Sequence, residues 1–446
     1  MATNRRTLLK GAAALAALPI GLKASTAGAQ STPAATPVGT PVGTPSAPLV
    51  VGTPEASLEV FSWWTSGGEA AGLDQLFAAF SAGSPSVGIV NAAVAGGGGS
   101  NAKTALQTRL AGGQAPDSWQ SHLGKELQSL YVSPGYCAPL TDLYAEQGWN
   151  DVFPQGVIDQ SSVDGVPYAV PVGNHRGNVM FYNKALMESN GITIGDTLSV
   201  DEFFTAADTL QAAGIPAVAL GDRDSFAAPQ LFENTLLGVL GPEAYTALWN
   251  DPSQWSSDGV TQAIEAFARM LTYLNPDHAA LTWDGAADLV AAGTAGFTSM
   301  GDWAYGQFVS KGTESSIGWV THPGSSGSFV TVIDGFTLPV GAPDAVNASN
   351  WLRAAGSAAA QTAFAPYKGC IPARTDIDSS TFNEYLKWSA NDLTTATAVP
   401  SNAHGSAASP QVQQAIFDAT IAFIVAPDTE TYRVTIQQAA EDDAAS

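Results

Sequence analysis

Cysteine, histidine and basic side chains are scarce in this chain of 446 residues, and each shortage excludes a class of function. The two cysteines, Cys137 and Cys370, have no CxxC or zinc-ligand spacing, which argues against structural zinc, iron–sulfur clusters and a scaffold of several disulfides. The five histidines are scattered, without local metal-ligand spacing. Seventeen Lys and Arg residues stand against 40 Asp and Glu, a formal net charge of −23, so we expect no nucleic-acid partner.

Catalytic and cofactor motifs are also missing. The sequence contains no H-E-x-x-H, no G-x-S-x-G and no dinucleotide-binding fingerprint. Residues 96–104 follow a predicted strand and open a predicted helix, as a phosphate-binding loop would, but Ala102 stands where that motif requires glycine. We interpret this glycine-rich segment as a turn beside a ligand cleft. The sequence therefore predicts no cofactor and no metal, although missing motifs alone do not exclude an enzyme.

The first 30 residues form a predicted export signal. Arg5 and Arg6 precede an apolar run over residues 11–22, and Ala-Gly-Ala at 27–29 is typical of a cleavage site. The run is too short to span a hydrocarbon core of about 30 Å. Paired arginines before Leu-Leu-Lys resemble a twin-arginine signal, and the alternative is an ordinary secretory signal with arginines there by chance. Both predict a periplasmic or extracellular protein associated with the cell surface.

Residues 31–57 form a predicted linker. Thr-Pro-Val-Gly at 36–39 is repeated at 40–43, and Thr-Pro begins a third copy. Proline removes backbone donors and glycine adds conformational freedom, so such a repeat does not pack into a domain. It is either an extended stalk at the cell surface or a spacer with no specific duty.

From residue 58 onward, strand-like and helix-like patterns alternate. Residues 58–62, 216–220 and 329–340 read as strands, and the chain is long enough for two or three domains. A capping box, Ser199 to Glu202, predicts a helix to Ala213, and another predicted helix runs from about 351 to 364. The alternation predicts an α/β fold with mainly parallel sheets, which bind ligands beyond the carboxyl ends of their strands.

Tryptophans beside polar or charged side chains recur at several predicted strand ends. The segments are Trp63-Trp64 with Glu69, and residues 119–122, 173–176, 282–284, 300–303, 333–335, 367–369 and 403–405. An indole can cover the C–H face of a sugar ring, while carboxylate, amide, imidazole and ammonium groups bind its hydroxyls. The combination favours a neutral polyol over a phosphate or a peptide.

Each of these residues also has a purely structural interpretation. Strand alternation directs only one of Trp63 and Trp64 toward any given side, and the sequence does not say which. His175 and His404 could be ordinary buried or capping histidines. Asp334 is harder to explain structurally, because a carboxylate between two apolar strand segments needs a partner.

The same segments resemble the extracellular solute-binding proteins (family 1, carbohydrate type) of ABC sugar importers, most closely the glucose/mannose-binding members. The likeness covers nearly all of residues 58–425 and is strongest at 61–64, 172–180, 300–303 and 368–374. It implies a two-lobe periplasmic-binding-protein fold of type II-like α/β architecture, with several chain crossings at the hinge and a ligand cleft between the lobes. The implied first lobe is 58–171 plus 331–366, and the second is 172–330 plus 367–446.

The resemblance also implies a sugar site and a function. The implied site residues are Trp64, Glu69, Gln120, His122, His175, Trp283, Trp303, Asp334, Lys368 and His404. Trp283 would stack on the sugar, Asp334 and Lys368 would bind adjacent hydroxyls as a pair, Trp64 would form a wall, and Glu69 would reach a ring-edge hydroxyl. The implied protein is not an enzyme but a monomeric receptor, which captures a monosaccharide (glucose or a close epimer) by lobe closure and delivers it to a membrane permease.

Two further points remain open in the sequence. Cys137 and Cys370 are outside the family's sugar motif, and in an oxidising compartment they could form a disulfide across the lobes; the alternative is two isolated buried thiols. The rival function is a secreted glycoside hydrolase or lyase that uses Glu69 and Asp334 as paired carboxylates.

Overall fold

The computed structural model describes residues 56–445. The predicted export signal, with its twin-arginine motif, and most of the predicted linker lie outside the described residues. The first strand begins at Ala56, so the last two residues of the predicted linker belong to a strand. Within residues 56–445, no helix combines the length and the apolar character needed to cross a membrane.

The described chain alternates between strands and helices, as the sequence predicts. The strands are β1 (Ala56–Phe61), β2 (Val87–Asn91), β3 (Ser118–His122), β4 (Ser162–Val163), β5 (Val166–Pro167), β6 (Ala169–Arg176), β7 (Val179–Asn183), β8 (Phe297–Met300), β9 (Ile317–Thr321), β10 (Ser328–Thr337) and β11 (Thr397–Pro400). The α-helices are α1 (Gly67–Gly83), α2 (Ser100–Ala111), α3 (Thr141–Gln147), α4 (Trp149–Val152), α5 (Gln155–Ser161), α6 (Lys184–Ser189), α7 (Val200–Ala212), α8 (Ala227–Leu248), α9 (Asp258–Leu271), α10 (Trp283–Ala291), α11 (Trp303–Lys311), α12 (Ala345–Ala355), α13 (Ala358–Lys368), α14 (Glu384–Leu393), α15 (Pro410–Val425) and α16 (Thr429–Ala444).

Local sequence signals explain several helix ends. The capping box is present at α7, where the Ser199 side chain and Glu202 satisfy each other's backbone N–H groups. The single helix predicted over about 351–364 is instead two helices, because α12 ends at Gly356 and Ser357 caps α13. A Cβ on Gly356 would lie 2.4 Å from the Trp149 ring, so close packing requires glycine at this break.

The described strands form one large mixed sheet, a second, three-stranded sheet, and a two-stranded antiparallel sheet of β4 and β5. The large sheet has the order β11-β10-β3-β1-β2, and β6 also pairs with β10. Here β1 is parallel to β2 and β3, whereas β10 is antiparallel to β3 and β6. The second sheet, β8-β7-β9, is antiparallel throughout, so the prediction of mainly parallel sheets is wrong there. Strand–helix alternation leaves strand direction open when several helices separate two strands, as α6–α10 separate β7 from β8. The strand predicted at 216–220 is reduced to isolated bridges made by Val218.

Two separate hydrophobic cores divide the described chain into two lobes. We call the lobe around the core of β1–β3 and β6 the first lobe, and the lobe around the core of β7–β9 the second lobe. Val330 packs in the second core and Ile333 in the first, so β10 passes from one lobe to the other. The chain also crosses between Val172 and Val179 and again between Ala373 and Phe382. The exact lobe boundaries stay a prediction.

Candidate functional site

A cavity lies between the lobes and takes its lining from both. Its described lining residues are Trp63, Glu69, Gly98, His122, Phe226, Trp283, Trp303, Val332, Asp334, Lys368 and His404. The space free of atoms is about 370 Å³ with the mouth included, but the volume open to the centre of a water molecule is only about 30 Å³. That volume holds very few water molecules, so a sugar ring enters only if the walls move apart.

The functional side chains come from strand ends and from the ends of helices. Glu69 is in the first turn of α1, Trp283 and Trp303 are the first residues of α10 and α11, His122 is the last residue of β3, Asp334 is in β10, and Lys368 is the last residue of α13. Seven of the ten predicted site residues therefore line the cavity: Glu69, His122, Trp283, Trp303, Asp334, Lys368 and His404. Trp64, Gln120 and His175 do not.

Asp334 is a buried carboxylate held in one orientation by its neighbours. The Gln120 Nε2 donates to Oδ1 over 2.9 Å, and the His175 Nε2 lies 3.1 Å from Oδ2. Burial alone would raise the pKa of Asp334, but contact with His175 and the positive charges nearby outweigh burial and lower that pKa. Asp334 therefore presents a fixed, ionised acceptor to the cavity.

His175 and Gln120 act behind Asp334 rather than on the cavity surface, which corrects their prediction as residues that line the sugar site. His175 is fully buried, and its Nδ1 lies 2.5 Å from the Asp302 Oδ1. Burial would lower the pKa of His175, yet the Asp302 charge raises it well above its ordinary value. Gln120 accepts the Trp63 backbone N–H over 3.2 Å while it donates to Asp334. Both residues orient the acceptor without lining the cavity.

Lys368 forms a direct ion pair with Glu69, and the joint binding of adjacent hydroxyls by Lys368 and Asp334 stays a prediction. The Lys368 Nζ lies 2.7 Å from the Glu69 Oε1, and the lysine is 2% exposed. Its Nζ is also 5.6 Å from the centre of the Trp303 ring. Burial would lower the pKa of Lys368, but Glu69 and then Asp334 outweigh burial and raise it. Lys368 is therefore a charged donor between two acceptors.

The cavity wall is formed by Trp63, so the prediction of Trp64 as a wall residue is wrong. Trp64 has no exposed surface, and its ring lies 5.3 Å from that of Phe364 and 5.9 Å from that of Phe336. Trp63 lines the cavity, with its ring 4.9 Å from that of His122. Both tryptophans follow the end of β1, and there one indole packs in the core while the other lines the cavity.

Two histidines and a buried ion pair complete one side of the cavity. The His404 ring lies 4.9 Å from the Trp303 ring and 5.3 Å from the His122 ring. Burial lowers the pKa of His404 well below its ordinary value, so the ring is neutral at neutral pH. Behind His122, the Lys103 Nζ lies 2.6 Å from the Glu126 Oε2. Burial opposes ionisation of Glu126, but Lys103 and His122 hold its pKa at about 2.

Several residues that form or support the cavity carry no pattern in the sequence that would predict this role. Phe226 and Val332 carry no polar group, and the Lys103–Glu126 pair joins residues 23 positions apart without a motif. Gly98 is the exception, because the glycine-rich segment was interpreted as a turn beside a ligand cleft, and Gly98 lines the cavity. A Cβ on Gly98 would lie 2.9 Å from the Phe226 ring, which faces it from the second lobe.

The cysteines are not joined in this structure. Cys137 and Cys370 are both free and buried, so of the two alternatives the isolated thiols are observed. Cys137 lies beside Pro339 at an isolated bridge, whereas Cys370 packs against Gly173 near the chain crossing. Among residues 56–445, no group of three or more His, Cys, Asp or Glu side chains could hold a metal ion.

A narrow polar cavity closed by two α/β lobes is the arrangement of a solute-binding protein. The model of the bacterial extracellular solute-binding proteins matches residues 75–396, and the chain belongs to that family. It is 36% identical over 355 residues, 78% of this chain and 79% of the relative, to an "Uncharacterized ABC transporter extracellular-binding protein" of Pyrococcus horikoshii. A "Probable sugar-binding periplasmic protein" of Brucella suis is 32% identical over 381 residues, 83% of this chain and 89% of that one.

Solved structures share the fold at lower sequence identity. A chitin oligosaccharide binding protein has a TM-score of 0.78 at 19% identity and covers 88% of this chain and 99% of its own. A bacterial solute receptor described as having an exclusive preference for β-D-galactopyranose has a TM-score of 0.75 at 21% identity, covering 87% and 98%. These likenesses establish the two-lobed periplasmic-binding-protein fold.

Proposed function

We propose that the protein is an exported receptor that captures a neutral monosaccharide, glucose or a close epimer, and delivers it to an ABC importer. The supporting observation is the cavity between the lobes, where indoles from both lobes stand beside a buried carboxylate, a buried ammonium and a neutral imidazole. A related protein named for sugar binding supports the ligand class. The choice of a monosaccharide rests on the resemblance of the sequence to the glucose/mannose-binding members.

The groups in the cavity match the two kinds of surface on a sugar ring. Trp283 is partly exposed at the start of α10, where its indole can cover a C–H face. Glu69 and Asp334 accept hydroxyl protons, and Lys368 donates to a hydroxyl oxygen. Charge-assisted hydrogen bonds are roughly twice as strong as neutral ones, so a misplaced hydroxyl would leave a buried partner unsatisfied.

Lobe closure would couple sugar binding to transport. Because the lining comes from both lobes, neither lobe alone offers the complete set of contacts. A sugar that contacts both lobes stabilises the closed form, which a permease can distinguish from the open form. Export through a twin-arginine signal, and action as a monomer at the cell surface, belong to the same proposal.

Titration calorimetry with single sugars tests this function. We expect heat of binding with glucose or one of its epimers and none with an amino acid or a polyamine. Trp283→Ala should weaken that binding by about 5–150-fold, which is about 1–3 kcal/mol. Trp319→Ala is the matched control, because Trp319 is also partly exposed in the second lobe but does not line the cavity. Binding of an amino acid or polyamine without any hexose binding would refute the proposal.

The hydrolase alternative is not favoured by the electrostatics of the cavity. A glycosidase needs one carboxyl group with a raised pKa to protonate the leaving group. The pKa of Asp334 is lowered, and Glu69 is ion-paired with Lys368. Release of a reducing sugar from an aryl glycoside would nevertheless contradict the proposed receptor function.

A further inference from the structure

The segment that carries His404 is built around a buried acid of the second lobe. Glu233, on α8, is 3% exposed and does not line the cavity. Its Oε1 accepts the Ser401 hydroxyl over 2.8 Å, and its Oε2 accepts the Ala403 backbone N–H over 2.6 Å. Gln413 supports the same turn by donating to the Asn402 and Ala403 carbonyls. Glu233 thus holds the turn that places His404 against the cavity.

The hydrogen bonds of Ser401 determine which nitrogen of His404 carries the proton. A hydroxyl donates one proton and accepts at two lone pairs. An ionised Glu233 can only accept, so the Ser401 proton goes to Glu233. The Ser401 Oγ then accepts from the His404 backbone N–H over 3.1 Å and from the His404 Nδ1 over 2.9 Å. For Nδ1 to donate, it must be protonated, and in a neutral ring the Nε2 is then an acceptor.

We infer that Glu233 is a positioning residue that fixes His404 in the Nδ1–H tautomer and thereby makes its Nε2 an acceptor for a ligand hydroxyl. This inference rests on the proposed function and deepens it. With Asp334 and Glu69 as the other acceptors, the ligand has to present hydroxyls that donate. A sugar in which fluorine replaces the hydroxyl at His404 would therefore bind poorly, because fluorine cannot donate a proton.

The ionisation state of Glu233 acts on His404 through the Ser401 hydroxyl. Burial raises the pKa of Glu233 to about 7, against the effect of the bonds from Ala403 and Ser401. A protonated Glu233 Oε1 would donate a hydrogen bond to the Ser401 Oγ. The Ser401 hydroxyl would then donate its own proton to the His404 Nδ1. The other ionisable groups around the segment are Tyr245 near Glu233, and His122, Lys103, Asp334 and His175 near His404. The tautomer is therefore best measured at about pH 8.5, where Glu233 is ionised.

Nitrogen NMR of the full-length protein labelled with ¹⁵N tests the inference without any ligand. The His404 signals are identified as those lost in His404→Asn. We expect a protonated Nδ1 and an unprotonated Nε2 in the unsubstituted protein. In Glu233→Gln, the amide oxygen still accepts from Ala403, while the amide NH₂ faces Ser401. The Ser401 hydroxyl then donates to the His404 Nδ1, so the proton should move to Nε2.

Sugar affinity provides the second readout. Glu233→Gln should weaken binding of the sugar identified by calorimetry by about tenfold or more, since Nε2 would no longer accept. Glu243→Gln is the matched control, because Glu243 is exposed in the part of α8 that follows the kink at Gly241. An Nε2–H tautomer in the unsubstituted protein would overturn the inference, as would unchanged tautomer and affinity in Glu233→Gln. If that variant does not fold, Ser401→Ala should release the tautomer preference instead. If no sugar binds, the proposed function fails, while the NMR result still tests the tautomer assignment.

Discussion

Replacing Lys368 by methionine should destabilise the fold strongly at neutral pH. Lys368 is 2% exposed, its ammonium is 2.7 Å from Glu69, and its positive charge also acts on Asp334. Methionine is similar in length but leaves the Glu69 carboxylate without its partner in a cavity that holds very few water molecules. Removing one member of a buried ion pair costs about 3–5 kcal/mol, and because Glu69 retains some exposure we expect a loss near 3 kcal/mol.

A double-mutant cycle separates the ion pair from the loss of packing. Lys368→Met, Glu69→Gln and the double variant are unfolded in urea without sugar, and their free energies of unfolding are compared with that of the unsubstituted protein. We expect the double variant to recover part of the loss, with a coupling energy of about 1–3 kcal/mol. The surface pair Lys311–Asp288, at 3.5 Å and about half exposed, is the control, and its coupling should stay below about 1 kcal/mol.

Additive effects of Lys368→Met and Glu69→Gln on the free energy of unfolding would refute this reasoning. If Lys368→Met costs as much in the Glu69→Gln background as in the unsubstituted protein, the two charges are not coupled. The charged pair would then be screened by water, and the cavity would be wetter than its volume indicates. If Lys368→Met lowers the free energy of unfolding but shows no coupling to Glu69→Gln, Lys368 stabilises the fold through packing alone.

Two further predictions concern the tryptophan pair and the glycine-rich turn. Trp64→Ala should lower the free energy of unfolding by about 3–5 kcal/mol without a direct effect on sugar contacts, whereas Trp63→Ala should lower both stability and sugar affinity. Urea unfolding and calorimetry measure the two effects, and loss of sugar affinity in Trp64→Ala alone would contradict the assignment. Gly98→Val should weaken sugar binding by about tenfold or more, since its Cβ would meet the Phe226 ring at 2.9 Å and hold the lobes apart. Gly113→Val imposes similar backbone strain with nothing within 4 Å, so equal losses of sugar affinity in both variants would rule out the contact as the cause.

The sequence predicts much of this architecture because its strongest signals are local. The capping box at Ser199, for example, predicts the start of α7 with no knowledge of the tertiary structure. Strand direction depends instead on long connections, which is why the antiparallel second sheet was not predicted. The choice between Trp63 and Trp64 failed for a related reason: both follow the end of β1 at Phe61, outside any ladder that would fix their direction.

The sequence also does not distinguish the polar residues that line the cavity from those that support them. Gln120 and His175 lie on β3 and β6, the two strands that pair with β10 at Asp334, and both contact Asp334. From sequence alone, a polar residue that touches the ligand looks the same as one that orients its neighbour. Phe226 follows Ser225, a non-glycine residue with a φ of 60°, and nothing in the local pattern indicates that this turn faces the cavity.

The charges around the cavity favour a neutral ligand over an anionic one. Of the described residues that line the cavity, Lys368 is the one lysine or arginine, and its charge is matched by Glu69. Asp334 is ionised, and His175 behind it also contacts Asp302, so the protein supplies no positive charge in excess for an anion. A phosphorylated sugar would bring its charge toward two carboxylates at a cost that a neutral ring avoids. The paired charges therefore act as oriented hydrogen-bonding groups, which suits discrimination between hydroxyl arrangements rather than attraction of charge.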